Sequence, residues 1–124
     1  MKLKELVKIL NANILTPDIY DPEFDVNYAF SSDLMSDDLM LLRTAPNDFF
    51  EEGMLITGLA TNQSIRTAEM LDFRVVIMVR DKKPTQQVLD GAIDSDIMVI
   101  TSPCSMFSAS GKLWENGIRG VTDL

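Results

Sequence analysis

The chain has 124 residues, 46% of them hydrophobic and 24% charged, with 11 basic against 19 acidic side chains and a net charge of −8. That length makes one domain, able to bury about two thirds of its unfolded surface without disulfides or metal. One cysteine, Cys104, and no histidine exclude an intrachain disulfide, a His-containing zinc site and Ser-His-Asp chemistry.

Basic residues form only small groups, Lys2, Lys4 and Lys8 at the start and Arg80, Lys82 and Lys83 later. A phosphate backbone needs denser clusters, so nucleic acid is not expected as a partner. The first residues, MKLKELVKILNANILT, lack the unbroken apolar core of a signal peptide. No apolar run reaches the 18 or so residues of a membrane span. A soluble, cytoplasmic protein with no membrane partner is expected.

In chain order, KLKELVKIL puts Leu3, Leu6, Val7 and Leu10 on one helical face. NANILT turns into a short strand, and PDIYDPEFD reads as a loop. VNYAF (26–30) is β-branched and aromatic and predicts a strand. SDDLMLLR (36–43) predicts a short helix, and TAPNDFFEEG a linker or helical turn closed by Gly53. MLITGL (54–59), RVVIMVR (74–80) and DIMVIT (96–101) are continuous apolar runs, the pattern of strands buried on both faces. Between and after them, 62–72, 84–94 and 102–118 predict helices, with Pro84 at an early helical position. Alternating strands and helices with short connections imply parallel strands and right-handed crossovers. The fold expected is a layered α/β domain with a mostly parallel sheet of about five strands and helices on its faces.

In such sheets ligands bind beyond the carboxyl ends of the strands. Four ends are legible: Ser31-Ser32-Asp33, Thr57 to Asn62, Arg80 to Lys83, and Thr101-Ser102. Three carry hydroxyls beside a helix start, where backbone N–H groups attract anions, and Gly58 allows a close backbone approach. The candidate ligand-binding residues are therefore Ser31, Ser32, Asp33, Thr57, Gly58, Asn62, Thr101 and Ser102, and the candidate ligand is a small phosphate-bearing metabolite. A second account of the same residues is helix capping alone: Ser36 before Asp37 and Asp38, Thr61 or Asn62, and Ser102 before Pro103. The residue types fit either account. Asp33 lies in the turn rather than in a cap.

Other chemistry finds less support. Asp33, Asp37 and Asp38 could hold Mg²⁺ for phosphate chemistry, but no distant acid is marked as their partner. The phosphate loop G-x-x-x-x-G-K-[ST] is absent, because Gly111-Lys112 follows Met106 and precedes Leu113. No catalytic residue, metal or cofactor is assigned. Cys104 reads as an inert thiol. Seven of the eight methionines fall mostly in apolar runs and read as adaptable core filler. The adjacent pair Phe49-Phe50 either covers the core or marks a contact surface.

Three stretches carry a resemblance: AFSSDLMSDDLM, LITGLATNQSIRTAEMLDFRVVIMVRDKKP and DIMVITSPCSMFSASGKLWENGI. In this order they resemble the DRTGG domain, which is similar in fold to the N-terminal domain of HPr kinase/phosphorylase. The resemblance covers residues 2–120, so that 1–124 reads as a single DRTGG-like domain. No Asp-Arg-Thr-Gly-Gly string occurs; the corresponding stretch is TGLATNQSIR, without the Asp-Arg pair after the glycine. DRTGG domains also occur in phosphotransacetylases and in some pyrophosphatases with CBS domains. The resemblance implies a non-catalytic regulatory module, a homodimer, and a possible partner enzyme. It argues against an HPr serine kinase, because it is to the domain that lacks the kinase site. The alternative is a protein-interaction domain without a small ligand.

Overall fold

The computed structural model describes residues 1–33 and 45–121. The helix expected at 36–43, with its cap Ser36 and the acids Asp37 and Asp38, lies outside these residues. The chain begins with α1 (Leu3–Ile9), then β1 (Asn13–Ile14) and a 3-10 turn (Pro17–Ile19). β2 (Tyr28–Ser31), α2 (Asn47–Glu51) and β3 (Gly53–Thr57) come next. The remainder alternates: α3 (Asn62–Met70), β4 (Val75–Met78), α4 (Gln86–Asp94), β5 (Met98–Thr101) and α5 (Met106–Glu115).

The sheet runs β1-β5-β4-β3-β2, with β1 antiparallel to β5 and all other pairs parallel. From β2 to β5 each strand steps one place in the same direction. Right-handed crossovers that all step one way must leave their helices on one face of the sheet. That is observed. Ile65, Ala68, Val88 and Ala92, from α3 and α4, pack with Phe49 of α2 on Leu55, Val76 and Val99. The terminal helices close the other face, where Leu3 and Leu6 of α1 and Ala109 and Leu113 of α5 meet Ile56, Ile77 and Ile100. The domain is thus three layers with two cores, and β2 to β5 feed both through their period of two.

Phe49 is fully buried and, with the half-buried Phe50, packs on Phe73 at ring separations of 5.9 and 6.1 Å. The pair covers the core, Phe49 from within and Phe50 from its margin. Gly53 opens β3 at the same place; a Cβ there would meet the Phe49 carbonyl and the Phe73 ring.

Some boundaries differ from the sequence reading. β2 begins at Tyr28 because Val26 and Asn27 are engaged elsewhere: Val26 N–H bonds to Met1 and Asn27 N–H to Glu52. α4 starts after Thr85, whose side chain accepts the Val88 N–H, so Pro84 precedes the helix. α5 starts after Ser105, which accepts the Ser108 N–H. Ser102 therefore caps no helix. No helix among the described residues is long and apolar enough to cross a membrane.

Candidate functional site

The carboxyl ends of β2, β3, β4 and β5 lie along one edge of the sheet, because these strands are parallel and in register. Ser31 pairs with Ile56 at the end of the β2–β3 ladder, and the Ser32 N–H still reaches the Ile56 carbonyl. One residue further, Asp33 turns back onto β3. Its Oδ1 accepts the Thr57 hydroxyl at 3.0 Å and the Gly58 N–H at 2.7 Å. The Thr57 hydroxyl in turn accepts the Leu59 N–H at 3.1 Å. Thr57 and Gly58 are buried, whereas Asp33 is exposed. This network fixes the turn from β3 into α3, whose cap residue Thr61 makes no side-chain bond to the helix.

Arg80 joins this cluster from the end of β4. Its guanidinium lies over the α-carbon of Gly58, where a Cβ would strike Nη2, and Asp33 Oδ2 lies beside the same point. Lack of a side chain at Gly58 is thus what lets Arg80 and Asp33 converge there. The Arg80 backbone is unusual as well. Among the described residues, the non-glycine positive φ values are at Asn11, Asp72, Arg80, Asp81 and Asp96. Asn11, Asp72 and Asp96 each follow a helix C-cap, a place where the left-handed conformation is common. Arg80 and Asp81, at φ 58° and 53°, terminate no helix. Two bonds to the β5–α5 connection hold them, Arg80 N–H to the Cys104 carbonyl and Asp81 N–H to the Ser102 carbonyl, both 2.8 Å. Left-handed backbone costs about 1–2 kcal/mol per ordinary residue, and such strain gathers at functional sites.

The candidate residues separate into four groups. Asp33, Thr57 and Gly58 meet, with Ser32 one residue away. Thr101 and Ser102 are fully buried, and their hydroxyls serve the fold. Thr101 Oγ1 donates to the carbonyls of Met78 at 3.2 Å and Lys82 at 2.7 Å. Ser102 Oγ donates to the Leu10 carbonyl at 2.7 Å and accepts the Cys104 N–H at 3.2 Å. Asn62 is exposed and borders a depression between α3 and α4 that Arg66, Glu69 and Gln87 also line. Ser31 Oγ turns toward α5, 2.8 Å from Ser110 Oγ.

Sequence reasoning recognised the end of β4 but left Arg80 out of the site. Nothing in VRDKKP marks a left-handed arginine, since arginine has no preference for that region. It also missed a cavity of about 330 Å³ beside β2, lined by Ser31, Ile56, Ser110, Leu113, Trp114 and Arg119 among others. Those residues are far apart in sequence. Among the described residues no group of three His, Cys, Asp or Glu side chains is placed to hold a metal ion. Cys104 is half-buried, with its Sγ 3.6 Å from Lys112 Nζ.

No family model and no curated protein matches this sequence. In fold it is similar to the regulatory region of Clostridium perfringens pyrophosphatase, comprising CBS and DRTGG domains and solved with the activator diadenosine tetraphosphate. The match has a TM-score of 0.63 and 16% identity, and it covers 90% of this chain and 45% of that one. The chain thus spans less than half the length of that neighbour, and the likeness shows a DRTGG-like α/β fold.

Proposed function

We propose that this chain is a non-catalytic regulatory module that senses a small phosphate-bearing metabolite or nucleotide, and that it works as a homodimer. One observation carries the reading. Asp33, Thr57, Gly58 and Arg80, from three strand ends, converge at a point where glycine leaves room above the backbone. The strained backbone of Arg80 points the same way.

The bonds divide the labour among these residues. Asp33 occupies the donors of Thr57 and Gly58, so its task is to hold the β3 turn in place. The Arg80 guanidinium supplies the positive charge, and planar guanidinium donors match phosphate oxygens in pairs. Lys82 and Lys83, both exposed on the same connection, add local charge to a protein whose net charge is −8. The neighbour's nucleotide activator supports a phosphate compound as the ligand class. Absence of histidine and of a phosphate loop supports sensing rather than catalysis.

Calorimetric titration with nucleotides, sugar phosphates and acyl phosphates tests this directly. Binding by the wild type that is lost in Arg80→Ala supports the site. Equal binding by both proteins rejects it.

A second reading, contact with another protein, draws on Phe107, which is 88% exposed on α5. Sedimentation of wild type and Phe107→Ser separates the two. A dimer that dissociates in the variant assigns Phe107 to the homodimer contact, whereas an unchanged mass leaves that ring free for a different partner.

A further inference from the structure

The cavity beside β2 has the build of a ligand subsite. Ala29 and Ile56 of the sheet form its floor, Leu113 and Trp114 of α5 one wall, and Ile118 to Val121 the other. That second wall is held to β2 and the residue before it by backbone bonds, Ala29 N–H to the Arg119 carbonyl and Arg119 N–H to the Asn27 carbonyl. The cavity is therefore framed by the sheet and not by a loose tail. Its volume of about 330 Å³ falls at the low end of small-molecule pockets, which run from about 300 to 1,000 Å³. An apolar floor with few converging polar groups is the usual lining of such a pocket.

The polar groups present are specific. Ser31 and Ser110 share one hydrogen bond between them at 2.8 Å, and two hydroxyls hold two protons, so one O–H remains to donate to an occupant. The Arg119 guanidinium lies 4.0 Å over the Trp114 ring, forming a flat, half-exposed wall suited to a planar ring.

The register then connects this cavity with the strand-end cluster. Ser31 and Ile56, which line it, are paired across β2 and β3. The next residues on each strand are Ser32-Asp33 and Thr57-Gly58, the cluster under Arg80. One or two residues of strand, at about 3.3 Å each, separate an apolar cavity from a guanidinium.

We infer that the two form one site for a nucleoside phosphate, with the base against Trp114 in the β2–α5 cavity and the phosphates at Arg80. This inference rests on the phosphate reading of the strand ends and names the class of ligand. Free phosphate compounds without a ring would use only half of the site.

Trp114 is the single tryptophan and reports on the cavity by fluorescence. The experiment titrates the full chain with ADP, adenosine and pyrophosphate separately. ADP is expected to bind at least tenfold more tightly than pyrophosphate and to change Trp114 emission, as adenosine does on its own. Ser110→Phe, which fills the cavity, should lower ADP affinity to that of pyrophosphate while leaving pyrophosphate binding unchanged. Should that variant fail to fold, Ser31→Val narrows the same cavity from the exposed strand end and is expected to act likewise. Pyrophosphate binding with no gain from the nucleoside and no change at Trp114 overturns the joined site and leaves the phosphate reading standing. Binding of none of the three overturns both. An emission change that tracks protein concentration rather than ADP assigns the cavity to a second copy of the chain and overturns the inference.

Discussion

Two glycines show how differently single residues are constrained here. At Gly53 a Cβ meets a backbone carbonyl and the Phe73 ring, neither of which can move without disturbing the α2 core. Gly53→Ala should cost about 1–3 kcal/mol, as overpacking does, read as a lower urea midpoint at constant slope. At Gly58 the obstacle is the far end of the Arg80 side chain, which can swing aside. Gly58→Ala should therefore cost less than about 1 kcal/mol and still remove ligand binding, because Arg80 is displaced. Arg80 itself offers a sharper contrast. Arg80→Gly relieves a left-handed backbone and should raise stability by up to about 1 kcal/mol, while abolishing binding. Gain of stability with loss of function is the signature of a strained functional residue. A variant that is both less stable and fully able to bind would show that Arg80 serves the fold. Thr101→Val should cost about 1–2 kcal/mol, through the Lys82 carbonyl it leaves without its hydroxyl donor, and should not involve the ligand directly.

The helices repeat a common ending. After α1, α3, α4 and α5, a left-handed residue is followed by an apolar one whose N–H reaches back across the last turn: Ala12 to Val7, Phe73 to Ala68, Ile97 to Ala92, Ile118 to Leu113. The left-handed positions are Asn11, Asp72, Asp96 and Gly117, the residue types that tolerate this conformation. The last of these stops was legible, since Asn116-Gly117 is a recognised helix ending; Asp72 carries no such signal, and the helix expected at 62–72 ran through it, whereas the observed one ends at Met70. Buried strands were legible too, because MLI, VVIM and MVI are unbroken apolar runs. Hydroxyls at strand ends could be seen in the sequence; their fates could not. Whether Ser102 caps a helix or bonds to Leu10 depends on which carbonyl a distant element brings near, and no local pattern records that. Helix starts differ in the same way. Ser105→Ala should destabilise by about 0.5–2 kcal/mol, whereas Thr61→Ala should have little effect, since Thr61 makes no capping bond. α1 is tied to the loop after β1 by Lys4 and Glu23 at 2.8 Å. The hydrogen bond from Lys4, and then its charge, hold the Glu23 carboxyl below its ordinary value. A depressed carboxyl contributes stability above its unfolded pKa and loses it as pH falls through the folded one. Both groups are exposed, so acid unfolding of Glu23→Gln should differ from wild type only slightly, and only above the folded Glu23 pKa.

At the scale of the molecule, the steady order from β2 to β5 has a functional consequence. Doubly wound sheets make a crevice where the strand order reverses; the parallel strands here contain no reversal. A site at this edge must therefore be assembled by the residues just beyond each strand end, and Asp33, Gly58 and Arg80 do so. Among the described residues, α2, α3 and α4 cover one face and α1 and α5 the other. α5 meets β2 where Ser110 bonds to Ser31, and the cavity beside Trp114 lies between that helix and that strand. Net charge of −8 opposes anion binding at long range, so affinity should rise with ionic strength up to the point where the local contacts of Arg80 are screened as well.

The most direct test of the central claim is a thermal-shift comparison of wild type and Arg80→Ala against nucleotides, sugar phosphates and acyl phosphates, with and without Mg²⁺. A one-site ligand at 100 times its Kd stabilises a fold by about 2.7 kcal/mol, which for this length raises Tm by more than about 5 °C. The account predicts such a rise for a phosphate compound in wild type and none in Arg80→Ala. No rise in wild type anywhere in the panel, or an equal rise in the variant, would contradict it.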